Sequence, residues 1–332
     1  MIARTEACEA RYNLWCVLPF HRQRGPAHRL RDCFVPALRR LRNAWKDAKQ
    51  RTVCVHVQKG VLQPLVQLLP ARPTLRVVRD HPGLLRQKPA RRMIEHYRRA
   101  DVERYLMPTH LGDLHWYLAT AFAGTDDTAS SARLVIVRRA GGDAKGKLTT
   151  QGWAHLLAST SGYERAVYWG NESLRATLDL FRNANFIVGA HGAGVVNAVW
   201  CPGCAVVEIA PASPDVRDVA RVETTARCFH NGSCHGGPWR SSSGHVLTLL
   251  NPQMRWSVAV LPLEQVCAAN GLGAREVPSA DEWTVLHRNY GPAHAWYRTH
   301  RVLPLSRTQA MRVAARLNDS SVPRGRLTFL GL

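Results

Sequence analysis

Apolar and polar positions along the chain fall into short alternating runs. Leu14–Leu18, Thr52–Val57 and Leu75–Val78 are apolar enough for strands. Between the first two lies Ala27–Lys49. There Leu30, Phe34, Leu38 and Leu41 recur at helical spacing, with arginines on the other face. Gln63–Leu69 reads as a short helix and Met93–Tyr105 as an amphipathic one. The polar run Thr125–Ser131 then interrupts the pattern and marks the best boundary in the chain. After it, Leu134–Val137 reads as a strand that ends in Arg138 and Arg139, and Thr149–Ser159 reads as a helix. Ser173 is placed to cap a helix over Leu174–Ala184, with Leu174, Leu178 and Phe181 on its apolar face. Val216–Thr225 and Leu261–Ala269 are further helix candidates, and residues 230–245 form a Gly/Ser-rich loop. Beyond Asn270 no clear periodicity is visible. Strands alternating with helices predict an α/β fold with parallel sheets. The expected organisation is an N-terminal α/β domain over residues 1–129, a second domain over 130–270, and an extension over 271–332.

One stretch carries most of the chemical information: Phe186–Pro211, FIVGAHGAGVVNAVWCPGCAVVEIAP. An apolar strand leads into glycines at 189, 192 and 194. A short apolar helix candidate, Val195–Trp200, follows, then a Pro202-Gly203 turn and a second apolar strand, Ala205–Ala210. A glycine loop between strand and helix lets backbone N–H groups approach a phosphate. The order G-x-x-G-x-G is neither the dinucleotide fingerprint nor a P-loop. His191 inside the loop, Asn197 in the helix and Glu208 in the closing strand add polar groups. A carboxylate in so apolar a strand needs a hydrogen-bonding role. Near the carboxyl end of a strand, that role is often a ribose hydroxyl pair. The competing role is a structural acid paired with an arginine such as Arg138.

Composition narrows the partners. The chain has 332 residues, 45% of them hydrophobic, enough for two domains with real cores. Its formal net charge is +21, which attracts polyanions such as nucleic acid, acidic glycans or an anionic membrane. The arginines are spread along the chain rather than gathered in one arm. Nine cysteines include one C-x-x-C pair, Cys201 and Cys204, with no partner pair at zinc spacing, so a metal knuckle is rejected. Cys228 and Cys234 are close enough in sequence for a short disulfide, as an oxidising lumen would allow. Sequons occur at Asn171, Asn231 and Asn318. No apolar run approaches the roughly 20 residues of a membrane span. Met1–Ala10 is polar and does not read as a signal peptide.

The run Leu178–Pro211 resembles the signature of the family-61 glycosyltransferases. That group includes plant xylosyl- and arabinosyltransferases. It also includes animal enzymes that add N-acetylglucosamine to protein-linked sugars. Gly189, His191, Gly192, Ala193, Gly194, Asn197, Pro202 and Glu208 fall on the family's pattern of strand, G-x-H-G-A-G, Asn, Pro and V-V-E. The resemblance implies a GT-B-like arrangement, two Rossmann-like domains facing across a cleft. It implies sugar transfer from a nucleotide-sugar donor to a glycan or protein-linked acceptor, inverting and without a metal or other cofactor. Donor contacts are then expected from Arg138, Arg139, Gly189, His191, Gly192, Ala193, Gly194, Asn197 and Glu208. Arginine suits the diphosphate, since its guanidinium binds phosphate oxygens in pairs and keeps its charge.

The segment Pro26–Leu38 resembles the family's N-terminal His-x-x-x-Asp element, although arginines replace its usual aromatics. His28 and Asp32 share a helical face and are candidates for the base that takes the acceptor proton. Tyr105–His110 resembles an element that shapes the cleft, with Thr109 or His110 near the acceptor. The family implies an endoplasmic reticulum or Golgi lumen. Without a visible anchor, a fragment of a longer protein and a cytoplasmic location both stay open. The alternative function is a non-catalytic basic protein that binds nucleic acid or acidic glycans on a Rossmann-like core. Cations converging on the glycine loop favour transfer; one broad basic face favours binding.

Overall fold

The computed structural model describes residues 10–14, 35–57, 62–79, 109–124, 133–137, 153–190, 194–201, 203–212, 253–279, 282 and 302–332. The chain divides into two compact units, Met1–Asp126 and Asp127–Leu332. Each is α/β with a parallel sheet.

The described part of the first unit has a three-stranded sheet, β1 (Ala10–Leu14), β2 (Val53–Val57) and β3 (Leu75–Arg79), in that order and all parallel. The first strand starts at Ala10, earlier than its apolar run suggests. Arg11 and Asn13 dilute the signal of an edge strand that pairs on one side only. Helix α1 (Val35–Asp47) buries Leu38 and Leu41 on the predicted face. The short α2 (Gln63–Gln67) carries Pro64 in its first turn, where the fixed φ of proline suits a helix. Helix α3 (Thr109–Ala121) has no counterpart in the sequence reading. It packs on α1 through the edge-to-face pair Trp45 and Trp116, centroids 6.4 Å apart. An ion pair of 2.9 Å between Arg42 Nη1 and the buried Asp113 also joins the two helices. The Met93–Tyr105 helix expectation lies outside the described residues.

The second unit has a six-stranded parallel sheet. Its strands are β4 (Arg133–Val137), β5 (Glu164–Tyr168), β6 (Phe186–Ala190), β7 (Ala205–Ala212), β8 (Arg255–Pro262) and β9 (Leu327–Gly331). Their spatial order is β5-β4-β6-β7-β8-β9. The three strands predicted around Leu134, Phe186 and Ala205 are neighbours in parallel register, as expected. Helices α4 (Trp153–Ser161), α6 (Leu263–Ala269) and α7 (Arg307–Asn318) cover one face. Their Leu157, Val266, Val313 and Leu317 pack with Ile136, Val188, Val207 and Leu261 in one core. The other face is covered by α5 (Leu174–Arg182) and by a 3₁₀ turn of helix over Val195–Trp200. Ser173 caps α5 as predicted, its Oγ accepting from Ala176 N.

Two readings need correction. Leu261 and Pro262 end a strand, and the helix begins at Leu263. The strand was hidden because both its faces are buried, which removes the alternation that marks a half-exposed strand. The tail without visible periodicity supplies α7 and β9 to the same sheet. Trp153 Nε1 donates to Leu303 O at 2.8 Å and ties α4 to that tail.

Candidate functional site at the sheet reversal

In the second unit the chain runs from β4 outward to the edge strand β5, then returns past β4 to β6 and continues the other way. Numbered within the unit, the order is 2-1-3-4-5-6. This doubly wound order has its topological switch between the first and third strands, here β4 and β6. At a switch point the two connecting segments leave the sheet in opposite directions and open a crevice at the carboxyl edge. In the sequence, Arg138-Arg139 follow β4 directly and His191-Gly192 follow β6. Sequence reasoning had singled out both.

Four of the predicted donor residues are described in detail. Gly189 is the fourth residue of β6, where Val137 of β4 stands beside it in register. A Cβ on Gly189 would come 2.7 Å from Val195 Cγ2 and 2.8 Å from Val137 Cβ. A Cβ on Gly194 would come 2.6 Å from Val137 Cγ1. Gly194 has φ −67°, a value open to any residue, so space and not backbone conformation selects glycine there. Together the two glycines let the 3₁₀ turn settle directly onto the β4–β6 junction.

Asn197 is buried in that turn. Its Nδ2 donates to Gly194 O at 3.2 Å and to Tyr168 Oη at 3.1 Å. The amide thus closes the turn on itself and ties it to the last residue of β5. The Tyr168 ring meets Phe181 of α5 edge to face, centroids 5.1 Å apart. Tyr168 was not anticipated. The signal for it was the run Glu164–Tyr168, whose β-branched and aromatic content reads as strand once its short length is accepted.

Glu208 is the fourth of eight residues in β7, in register with Gly189 on one side and Val258 on the other. It has no exposed surface, and its Oε2 accepts from Trp256 Nε1 at 3.1 Å. The expected position at the sheet's carboxyl edge is therefore corrected to the middle of a strand. The sheet continues past it because β7 and β8 pair as far as Ala212 and Pro262. Cys201 and Cys204 are buried and face each other across the turn into β7, with Cα atoms 5.9 Å apart.

His28, Asp32, Arg138, Arg139, His191, Gly192 and Ala193 lie outside the described residues, as do Cys228 and Cys234. Thr109 and His110 open α3 in the first unit. Among the described residues, no group of three or more His, Cys, Asp and Glu side chains is placed to hold a metal ion. None of the described helices is long and apolar enough to cross a membrane.

Comparison with curated proteins finds no match. Comparison with protein families finds one, the model described as Glycosyltransferase 61, over residues 28–207. That span covers more than half of the 332-residue chain. It runs from the His28 segment of the first unit through the sheet reversal to Val207, the residue before Glu208. The chain belongs to glycosyltransferase family 61.

Proposed function

We propose that this glycosyltransferase takes a nucleotide-sugar donor at the β4–β6 switch and transfers its sugar to a glycan or protein-linked acceptor. The observation that carries the reading is the sheet order, in which β4 and β6 are neighbours at the reversal among the described strands. Ligands of doubly wound sheets bind at such reversals. In this reading Arg138 and Arg139 hold the diphosphate, and the N–H groups of His191–Gly194 complete its cradle. Asn197 holds the turn that begins at Gly194 through its two hydrogen bonds. Burial and the bond from Trp256 favour Glu208 as a structural acid that positions β7 against β8, over a ribose contact.

The reaction we infer is inverting and independent of metal and of any other cofactor. The acceptor oxygen bonds to the anomeric carbon as the bond to the diphosphate oxygen breaks. The acceptor proton passes to His28 or Asp32, and the charge gathering on the diphosphate is met by Arg138 and Arg139. The first unit, with its own parallel sheet, would be the acceptor-side half of a GT-B pair. The family's secretory lumen is the proposed location.

A thermal-shift screen against uridine, guanosine and cytidine diphosphate sugars tests the reading. A binder should raise the melting temperature in proportion to the logarithm of its excess over Kd. The same donor should then be consumed with a glycan acceptor present. No shift with any donor at millimolar concentration contradicts the proposal.

A further inference from the structure

Trp169 is the residue directly after β5, at the carboxyl edge of the sheet, and 41% of its surface is exposed. Among the described residues of this unit, the other large aromatic side chains are buried or half-buried. Trp153, Trp200 and Trp256 show at most 1% of their surface. An exposed indole at the ligand-binding edge of a doubly wound sheet therefore stands out.

The position of Trp169 relative to the switch follows from register. Tyr168 pairs with Val137, so β5 and β4, side by side and parallel, end at the same level. Strands lie about 4.8 Å apart, which puts the end of β5 roughly 10 Å from the end of β6 across β4. Tyr168, one residue back, already touches the glycine turn. Its hydroxyl takes the Asn197 hydrogen bond, and its ring lies 3.8 Å from where a Gly194 Cβ would stand.

The loop that presents Trp169 is also built rather than slack. Glu172 accepts from Trp169 N at 2.7 Å and from Gly170 N at 2.8 Å, one oxygen to each. Gly170 has φ +90°, a conformation that side chains rarely adopt. Ser173 then caps α5. The three residues Gly170, Glu172 and Ser173 thus fix the backbone on which the indole stands.

We infer that Trp169 is the stacking platform for the base of the donor nucleotide, on the β5 side of the diphosphate. The inference rests on the donor site proposed above and adds the residue that holds the base. Stacking of a base on an aromatic side chain is tolerant of base identity, because every base offers a π-face. Trp169 would thus supply affinity for the nucleoside, with base choice left to hydrogen-bonding neighbours.

Calorimetric titration of wild type, Trp169→Ala and Trp169→Phe tests this. The probes are uridine diphosphate, guanosine diphosphate and inorganic pyrophosphate, the last as a control without a base. Trp169→Ala should lose roughly five- to hundredfold in affinity for the nucleotide that wild type binds better. Trp169→Phe should recover most of the loss, and pyrophosphate binding should not change. Unchanged nucleotide affinity in Trp169→Ala overturns the inference and leaves the donor site standing. An equal loss for pyrophosphate also overturns it, since the residue would then act on the phosphates or the loop. If wild type binds neither nucleotide, both the donor site and the platform fall.

Discussion

Gly194 shows how a residue can be fixed by its neighbour rather than by its own backbone. Its dihedrals suit alanine, yet a Cβ would stand 2.6 Å from Val137 Cγ1. Gly194→Ala should therefore destabilise the second unit by about 1–3 kcal/mol through overpacking. Val137→Ala in the same chain should return part of that loss, a favourable coupling visible in denaturant midpoints. An unchanged midpoint in Gly194→Ala would contradict the close approach. Glu208 makes the complementary case. Glu208→Ala leaves the Trp256 N–H without its acceptor in a dry environment, at a cost of about 1–3 kcal/mol before any cavity is counted. Nucleotide affinity of the folded fraction should stay near wild type. A large affinity loss at unchanged stability would restore the ribose contact. The sequence showed that both residues matter, because glycine and glutamate are conspicuous in apolar surroundings. It could not show why. The reasons are Val137 and Trp256, which lie 57 and 48 positions away along the chain and adjacent only in the folded sheet.

At the scale of elements, legibility followed exposure. Helix α5 was readable from Ser173 and from the spacing of Leu178 and Phe181, since its outer face is polar. The strand β6 was readable because a glycine loop ends it. β8 was not, because it is apolar on both faces and borders a helix that is apolar at its start. α7 has arginines and an exposed Met311 among its buried positions, which blurred its stripe. Its capping box, Ser306 with Gln309, is a helix-start signal that the sequence does carry. The packing makes α7 part of the second unit, and Leu317 is fully buried in its core. Leu317→Ala should lower stability by about 2–5 kcal/mol, measured by urea unfolding. A loss below 0.5 kcal/mol would mean that the tail does not support the sheet.

At the scale of the whole molecule, charge is the property that the sequence gives most directly, at +21 overall. The carboxylates that offset part of it have their own pH signature. Asp319 accepts from the Ser321 hydroxyl at 2.5 Å and from Ser321 N at 2.9 Å, with Arg316 alongside, and its pKa is held below the usual carboxylate value. Asp47 is lowered in the same way by the Tyr12 hydroxyl and by Arg51. A lowered folded-state pKa adds stability above the unfolded value near 4, and that stability is lost as pH falls through the lower folded value. Melting temperature should therefore drop on acidification below about pH 4. The drop should be shallower in Asp319→Asn, and an identical acid slope in that variant would contradict the assignment. The parallel α/β plan of both units was legible from alternation alone. The sheet order that defines the switch was not, since pairing between distant strands leaves no trace in local pattern.

That switch is the centre of the account, and Arg138 tests it most directly. In sequence it is the first residue after β4, the strand that neighbours β6 at the reversal. Calorimetry of wild type and Arg138→Ala with uridine diphosphate, or with whichever nucleoside diphosphate wild type binds best, measures its share of the site. Losing a charged hydrogen bond of about 1.5–3 kcal/mol predicts a roughly ten- to hundredfold weaker Kd at unchanged melting temperature. An Arg138→Ala protein that is folded and binds the nucleotide as tightly as wild type would put the diphosphate somewhere other than the β4–β6 switch.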